Sequence, residues 1–226
     1  MNFRKKIPTI STIFNKLSIY FIKKNLKIYQ DGSLQLVGSR KETDLRWNKI
    51  KQKLIKDKIK NILDLGSAEG VFLKKASELE IFSLGIEADE RRFLLSNYID
   101  EKNIYREYGV IFNKISLKSI KSLPKFDSTL YLSVHHHILA NLGEKKATLI
   151  LKEIFNRCEK SMFFETAMQN ENSKNWNKNY KKNLKKMTEE KIIDFFKKLG
   201  AEKIEIMGYT KSYNEGFKRP LFYIKK

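Results

Sequence analysis

Cysteine occurs once in the 226 residues, proline three times and histidine three times. The lone Cys158 excludes a disulfide framework within the chain and a multi-cysteine metal site, and it suits a reducing compartment, so a cytoplasmic protein is expected. No apolar run reaches the ~20 residues of a membrane span. The apolar stretch after Arg4, Lys5 and Lys6 is broken by Asn15, Lys16, Lys23 and Lys24, which also leaves no clean signal core. Acidic residues are few, 26 Asp plus Glu against 46 Lys plus Arg, and the resulting +20 excludes an acidic solvating protein. Arginine is scarce as well: Lys outnumbers it 38 to 8. Arg reads phosphate and guanine bidentately, so its scarcity weakens the nucleic-acid reading that a basic chain invites. With 38 Lys, 25 Ile and 17 Asn, the composition has the bias of AT-rich coding, and much of the charge reads as solvated background.

What is present supports a folded domain. At 41% hydrophobic and 12% aromatic residues the chain can bury a sizeable core, and its length fits one domain with a modest extension. Residues 9–28 place Ile10, Ile13, Phe14, Leu17 and Phe21 at helical spacing with lysines between them. That is a basic amphipathic helix, which either packs on the main domain or makes peripheral contact with a membrane surface. Residues 1–47 therefore read as an N-terminal extension and 48–226 as the main domain. From 43 to 60 a helix leads into a short strand at 61–65. Beyond it helices at 70–79, 90–100 and 143–157 alternate with strands at 82–87, 109–113, 128–134 and 161–165. This βαβα rhythm predicts an α/β fold: a Rossmann-like, doubly wound and mostly parallel sheet covered on both faces. A helix at 188–199 then precedes strands near 203–209 and 220–225, joined by a connection short enough for an antiparallel hairpin. Residues 166–187 form a polar insertion after the fifth strand, of a length that suits a lid or binding loop.

The central signal is Ile62-Leu63-Asp64-Leu65-Gly66-Ser67-Ala68-Glu69-Gly70-Val71-Phe72-Leu73, a buried strand, a tight small-residue turn and a helix start. Small residues let a ligand approach the backbone, and in open α/β sheets ligands bind at the carboxyl ends of the strands. The Gly-Lys-Ser/Thr of a P-loop is absent. A pyrophosphate would face both Asp64 and Glu69, and each like-charge contact at ~4 Å costs about 4 kcal/mol at an effective dielectric near 20. A cation suits the loop better, and S-adenosylmethionine carries an ammonium and a sulfonium. About twenty residues on, strand two ends Leu84-Gly85-Ile86-Glu87-Ala88-Asp89, with Glu87 where a carboxylate would accept two ribose hydroxyls.

Asp64-Leu-Gly-Ser-Ala-Glu-Gly70, Gly85-Ile-Glu-Ala-Asp89 and Phe126-Asp127-Ser-Thr-Leu-Tyr-Leu-Ser-Val-His-His-His137 together resemble motifs I, II and IV of the class I S-adenosylmethionine-dependent methyltransferases. The resemblance covers roughly 55–225, departing at Ala68, where motif I commonly has Gly. It implies that Asp64, Gly66 and Gly70 border the methionine part of S-adenosyl-L-methionine, Glu87 the ribose and the region of Asn113 the adenine. Ser67, Ala68, Glu69, Ala88 and Ser133 complete the implied cofactor-binding set. Antiparallel final strands are part of that family's pattern too.

His135, His136 and His137 are consecutive and are expected at the end of the fourth strand, where acceptor meets methyl group. A strand turns at most two of them the same way. A histidine with an ordinary pKa near 6.5 can take a proton from an acceptor hydroxyl, so these three are the candidate catalytic residues. Three neighbours on one strand cannot converge on a metal, and none is expected. The Asp-Pro-Pro-Tyr motif for amino groups on bases is missing, and Cys158 falls on a predicted helix away from the strand ends, which sets aside a cysteine nucleophile. Upstream, Gly38 to Trp47 places Arg40 and Arg46 beside Trp47, a candidate substrate-binding group for an anionic acceptor. Over short stretches this segment and Phe164-Glu165-Thr166 are also similar to enzymes that alkylate the wobble uridine of tRNA.

Three functions follow. The first is transfer of a methyl group to a hydroxyl of a small molecule or glycan. The second is RNA modification, with Lys174, Trp176, Lys178, Tyr180, Lys181, Lys182, Lys185 and Lys186 as a basic stripe carrying aromatics for stacking. The third is a non-catalytic binding subunit of the same fold.

Overall fold

A computed structural model describes residues 42–90, 92, 93, 96, 108–171, 182, 184, 187–212 and 216–226. The amphipathic segment 9–28 and Arg40 lie outside them. So does the basic stripe at 174–186, apart from Lys182 and the intervening Leu184.

The central strands alternate apolar residues toward both faces, so the sheet must be covered on both sides. In strand β1 (Asn61–Leu65), Leu63 and Leu65 join one core cluster while Ile62 joins the other. Strand β4 (Phe126–Leu132) sends Tyr131 to the first and Leu130 and Leu132 to the second. Strand β5 (Cys158–Glu165) divides Met162 and Phe164 from Phe163 in the same way. One face is covered by helices α1 (Thr43–Lys56) and α2 (Val71–Ser77), through Trp47, Ile50, Leu54, Phe72 and Ala76. The other is covered by α3 (Leu117–Lys121), α4 (His135–Arg157) and α5 (Glu189–Lys198). There Phe155, Phe164 and Phe196 meet edge-on, with Phe196 5.3 Å and 5.6 Å from the other two ring centres. Burial of each such ring contributes about 1.5–3 kcal/mol.

With β2 (Phe82–Glu87), β3 (Tyr108–Phe112), β6 (Lys203–Lys211) and β7 (Lys218–Lys225), the described strands form one sheet in the order β3-β2-β1-β4-β5-β7-β6. β3, β2, β1, β4 and β5 run parallel, and β7 is antiparallel to both of its neighbours. The order reverses direction at β1, which puts the carboxyl ends of β1, β2 and β4 around one crevice. The expected doubly wound sheet with an antiparallel final hairpin is therefore the observed one.

Three expectations are corrected. The histidine triplet is not strand: β4 starts at Phe126 and ends at Leu132, and Ser133, at φ +61°, turns the chain so that His135–His137 open α4. That helix contains the predicted 143–157 segment, broken from its first turns at Gly143 (φ 77°). Cys158 opens β5 rather than lying on a helix; it is fully buried, and burial pushes its thiol up to about 12 while it donates to Thr129 Oγ1 at 3.0 Å. The boundary drawn at 47/48 falls inside α1, whose residues on both sides of it, Trp47 and Ile50, pack in one cluster. No described helix is long and apolar enough to cross a membrane.

Candidate cofactor and acceptor site

The turn after β1 is held by backbone. Gly66 N and Ser67 N both donate to Ile86 O, at 2.7 Å and 3.2 Å, which folds the loop over the end of β2. Gly66 has φ +80°, and a Cβ there would stand 2.3 Å from Val134 Cγ2, so the contact with the β4–α4 turn requires glycine. A Cβ at Gly85 would meet Leu73 Cδ1 and Ser67 Oγ at 2.6 Å, so these two side chains pack directly on the backbone of β2. Ala68 occupies the left-handed region at φ +50°, where the resembling motif has glycine.

Glu87, at the end of β2, is buried and gripped by three N–H donors: Ala68 N at 2.8 Å, Ala88 N at 2.8 Å and Asp89 N at 2.7 Å. Its backbone carbonyl accepts from Asn113 N at 2.9 Å, which sets exposed Asn113 beside it at the end of β3. Asp64 is buried, its Oδ2 has no hydrogen-bond partner, and burial followed by the neighbouring Glu87 raises its pKa to about 7 against a pull from Arg46. Ser67 Oγ is likewise buried without a partner. Buried Glu69 pairs with Arg92 at 3.1 Å. The loop set Asp64, Gly66, Ser67, Ala68, Glu69 and Gly70 thus meets Glu87, Ala88 and Asn113 in one crevice.

Eight charged side chains are buried among the described residues, and seven of them cluster at the carboxyl ends of the strands: five acids, Asp64, Glu69, Glu87, Glu165 and Glu171, against Arg46 and Arg219. The eighth, Asp127, lies at the opposite end of β4. In a chain of +20 this is a local excess of negative charge, and a cation fits it. S-adenosylmethionine fits that charge: the buried Asp64 Oδ2 has no hydrogen-bond partner, and a cationic donor would supply one.

On the acceptor side the three histidines part ways. His135 is buried between Tyr131 and Phe164, its Nδ1 has no partner, and burial lowers its pKa to about 4. It is a core residue, which corrects its place in the catalytic set. His136 is buried with Nδ1 facing Ala167 N at 3.3 Å and Thr166 Oγ1 at 3.4 Å. A backbone N–H can only donate, so Nδ1 accepts and the neutral ring carries its proton on Nε2. His137 is exposed, its ring centre 4.3 Å from that of His136; desolvation first, then Arg219 and Arg92, depress its pKa and keep it neutral.

Trp47 stacks on Phe72 at 6.0 Å between α1 and α2, in the core rather than at an acceptor. Arg46 is 2% exposed, lies over the Phe72 ring, donates to Thr43 Oγ1 at 3.3 Å and meets Glu165 at 3.7 Å. Its charge is thus turned inward, against the expectation of an acceptor anchor. Sequence reasoning missed Glu165 and the Glu171–Arg219 pair as structural charges. Glu165 accepts from Ser133 Oγ at 2.5 Å and Thr210 Oγ1 at 2.8 Å; Arg219 grips Glu171 bidentately at 2.7 Å and 2.6 Å. An acid closing the apolar run Met162-Phe163-Phe164 was the available signal for Glu165. At the foot of the 166–187 insertion, Gln169 N donates to Met187 O at 2.9 Å, so its two ends meet.

Sheet order, the lone antiparallel β7 and the acidic crevice at the switch point now stand together. The chain has the class I methyltransferase fold. No family model and no curated protein matches it. Among solved structures it is similar to the bifunctional kinase-methyltransferase WbdD, with TM-score 0.75 and 18% identity over 91% of this chain and 45% of that one. The chain therefore spans about half the length of WbdD. It is also similar to magnesium protoporphyrin IX methyltransferase (ChlM) from Synechocystis PCC 6803, solved with bound S-adenosylmethionine: TM-score 0.65, 13% identity, 94% of this chain and 96% of that one. A third, EvdMO1, gives TM-score 0.61 and 14% identity over 93% of this chain and 47% of that one.

Proposed function

We propose that the chain is an S-adenosylmethionine-dependent methyltransferase that acts on a hydroxyl of a small molecule or glycan. The observation that carries this reading is Asp64, a buried carboxyl group with a partnerless oxygen beside Glu87, in a fold shared with ChlM, which was solved with bound S-adenosylmethionine. Asp64 and the Gly66–Gly70 backbone would hold the methionine part, and Glu87 the ribose. When bound, the cofactor supplies an electrophilic methyl group on a sulfonium. His137, neutral at pH 7 and exposed, takes the proton from the acceptor hydroxyl, with the buried ring of His136 packed 4.3 Å from its own. Removal of His137 is expected to lower turnover by about 100-fold or more, in line with general-base contributions.

Calorimetry with S-adenosylmethionine tests the cofactor. Wild type should bind, and Glu87→Ala should lose about 100-fold in affinity, near 2.7 kcal/mol, as three backbone donors and the ribose lose their acceptor. Equal binding by both, or by neither, would sink the assignment. Labelled S-adenosylmethionine offered with a sugar-nucleotide and glycan panel and, separately, with total RNA then tests the acceptor. Label in the first supports the proposal; label confined to RNA overturns it in favour of RNA modification.

A further inference from the structure

Residues 165–167 and 133–137 are bound to each other at four points. Ser133 N donates to Glu165 O at 2.7 Å and Ser133 Oγ to Glu165 Oε1 at 2.5 Å. Thr166 Oγ1 and Ala167 N reach His136 Nδ1. Ser133 itself sits at φ +61°, a backbone state that serine adopts at a cost and that persists only when its surroundings over-determine it. The next residue, Val134, fills the place of the missing Cβ of Gly66 in the cofactor loop. The same Glu165 carboxylate reaches Thr210 of β6 and, at 3.7 Å, Arg46 of α1. It is fully buried, so one carboxylate faces a guanidinium and accepts from the hydroxyls of Ser133 and Thr210, out of reach of water.

We propose that Glu165 is a positioning residue, which fixes the strained Ser133 turn and thereby sets His136 and His137 against the cofactor loop. The role rests on the methyltransferase reading for its purpose, though its geometry does not. Arg46 and Thr210 hold the carboxylate from two further elements, so its Oε1 stays aimed at Ser133 Oγ. Displacing it releases the turn, and the release reaches Val134 and the histidine rings.

Ring-nitrogen NMR of the full chain tests this directly, because the sequence holds three histidines and the two nitrogens of each ring report its tautomer. Wild type should show His136 protonated at Nε2. Glu165→Ala should mix the His136 tautomers and move the His137 signals. Glu165→Gln keeps an oxygen for Ser133 Oγ and should bring them back toward wild type, a rescue that a merely structural loss of stability would not give. Ser133→Gly accepts the left-handed backbone and removes only the hydroxyl; it should move the same signals, and it decides the question if Glu165→Ala does not fold. S-adenosylhomocysteine, titrated calorimetrically, should bind Glu165→Gln, in which the turn is restored, within about threefold of wild type, since the Glu87 grip is untouched. Histidine signals unchanged in Ser133→Gly, or a far larger loss of affinity in Glu165→Gln, overturn the proposal. If wild type binds no S-adenosylhomocysteine, the methyltransferase reading fails while the histidine spectra still decide the role of Glu165.

Discussion

The two sides of the crevice are built by different means. The cofactor side is a backbone construction: Gly66 and Gly85 admit their neighbours because they lack a Cβ, and three amide N–H groups hold Glu87. Apart from Asn113, its residues fall within two short stretches, 64–70 and 85–89. The other side is a side-chain construction, in which Arg46, Glu165 and Thr210 meet from three separate elements around the Ser133 turn. Backbone sites tolerate little substitution but need few partners; side-chain sites can be retuned, and each partner can be removed alone. A cofactor common to a fold suits the first kind of construction, and an acceptor particular to one protein suits the second.

The largest way to break this contrast is Gly66→Ala, because that glycine is where the two sides touch. The new Cβ would add left-handed strain to an overlap with Val134 Cγ2, for an expected loss of about 3 kcal/mol by chemical denaturation. Gly66→Ala with Val134→Ala should recover about half, since truncating Val134 relieves the overlap and leaves the φ strain. Full recovery would show that the backbone state carries no cost.

Asp64 gives a smaller effect of definite sign. Its folded pKa of about 7 lies above the unfolded 3.8, so its contribution to stability of the cofactor-free protein is fully present below about 4 and lost as pH rises through about 7. Cofactor binding runs the other way, because the cation needs the ionised carboxylate. Affinity for S-adenosylmethionine should fall about tenfold from pH 8 to pH 6, near 1.4 kcal/mol, and Asp64→Asn should flatten that dependence. Calorimetry across this range, showing equal slopes for both proteins, would remove Asp64 from the cation site.

The same contrast explains what could be read beforehand. β1, the loop to Gly70 and β2 were legible because apolar runs, small residues and acids at fixed spacing record local geometry; the observed β1 and β2 coincide with the expected 61–65 and 82–87. The histidine turn was not legible. Nothing in Leu132-Ser133-Val134-His135 announces that Ser133 goes left-handed, since what holds it there is a carboxylate 32 residues away. Arg46 and Trp47 misled for a related reason: an arginine beside an aromatic marks a surface anchor or a buried ion pair equally well, and only the position of Glu165 separates the two.

On the acceptor side, Tyr131 isolates a single side chain. Its hydroxyl is buried without a partner, its ring centre lies 5.9 Å from that of His135, and burial raises its pKa well above the usual tyrosine range. Tyr131→Phe keeps the ring contacts with His135 and Phe164 and should stabilise the chain by about 1 kcal/mol. A loss of stability in thermal unfolding would mean that the hydroxyl is bonded after all, for example through an internal water shared with His135.

Ala68 sharpens the comparison from the cofactor side with the smallest change. At φ +50° an alanine carries roughly 1 kcal/mol of strain that glycine would not, while glycine would free the unfolded chain by a part of that amount. Ala68→Gly should therefore gain only about 0.5 kcal/mol in stability. Ala68 N already donates to Glu87 Oε2 at 2.8 Å, so the alanine conformation is the one in which the Glu87 carboxylate is held. Glycine relaxes that hold by admitting other backbone states, and affinity for S-adenosylmethionine should drop by about twofold even as the protein becomes more stable. Stability and affinity rising together would show that the alanine is strain alone, with no part in presenting Glu87.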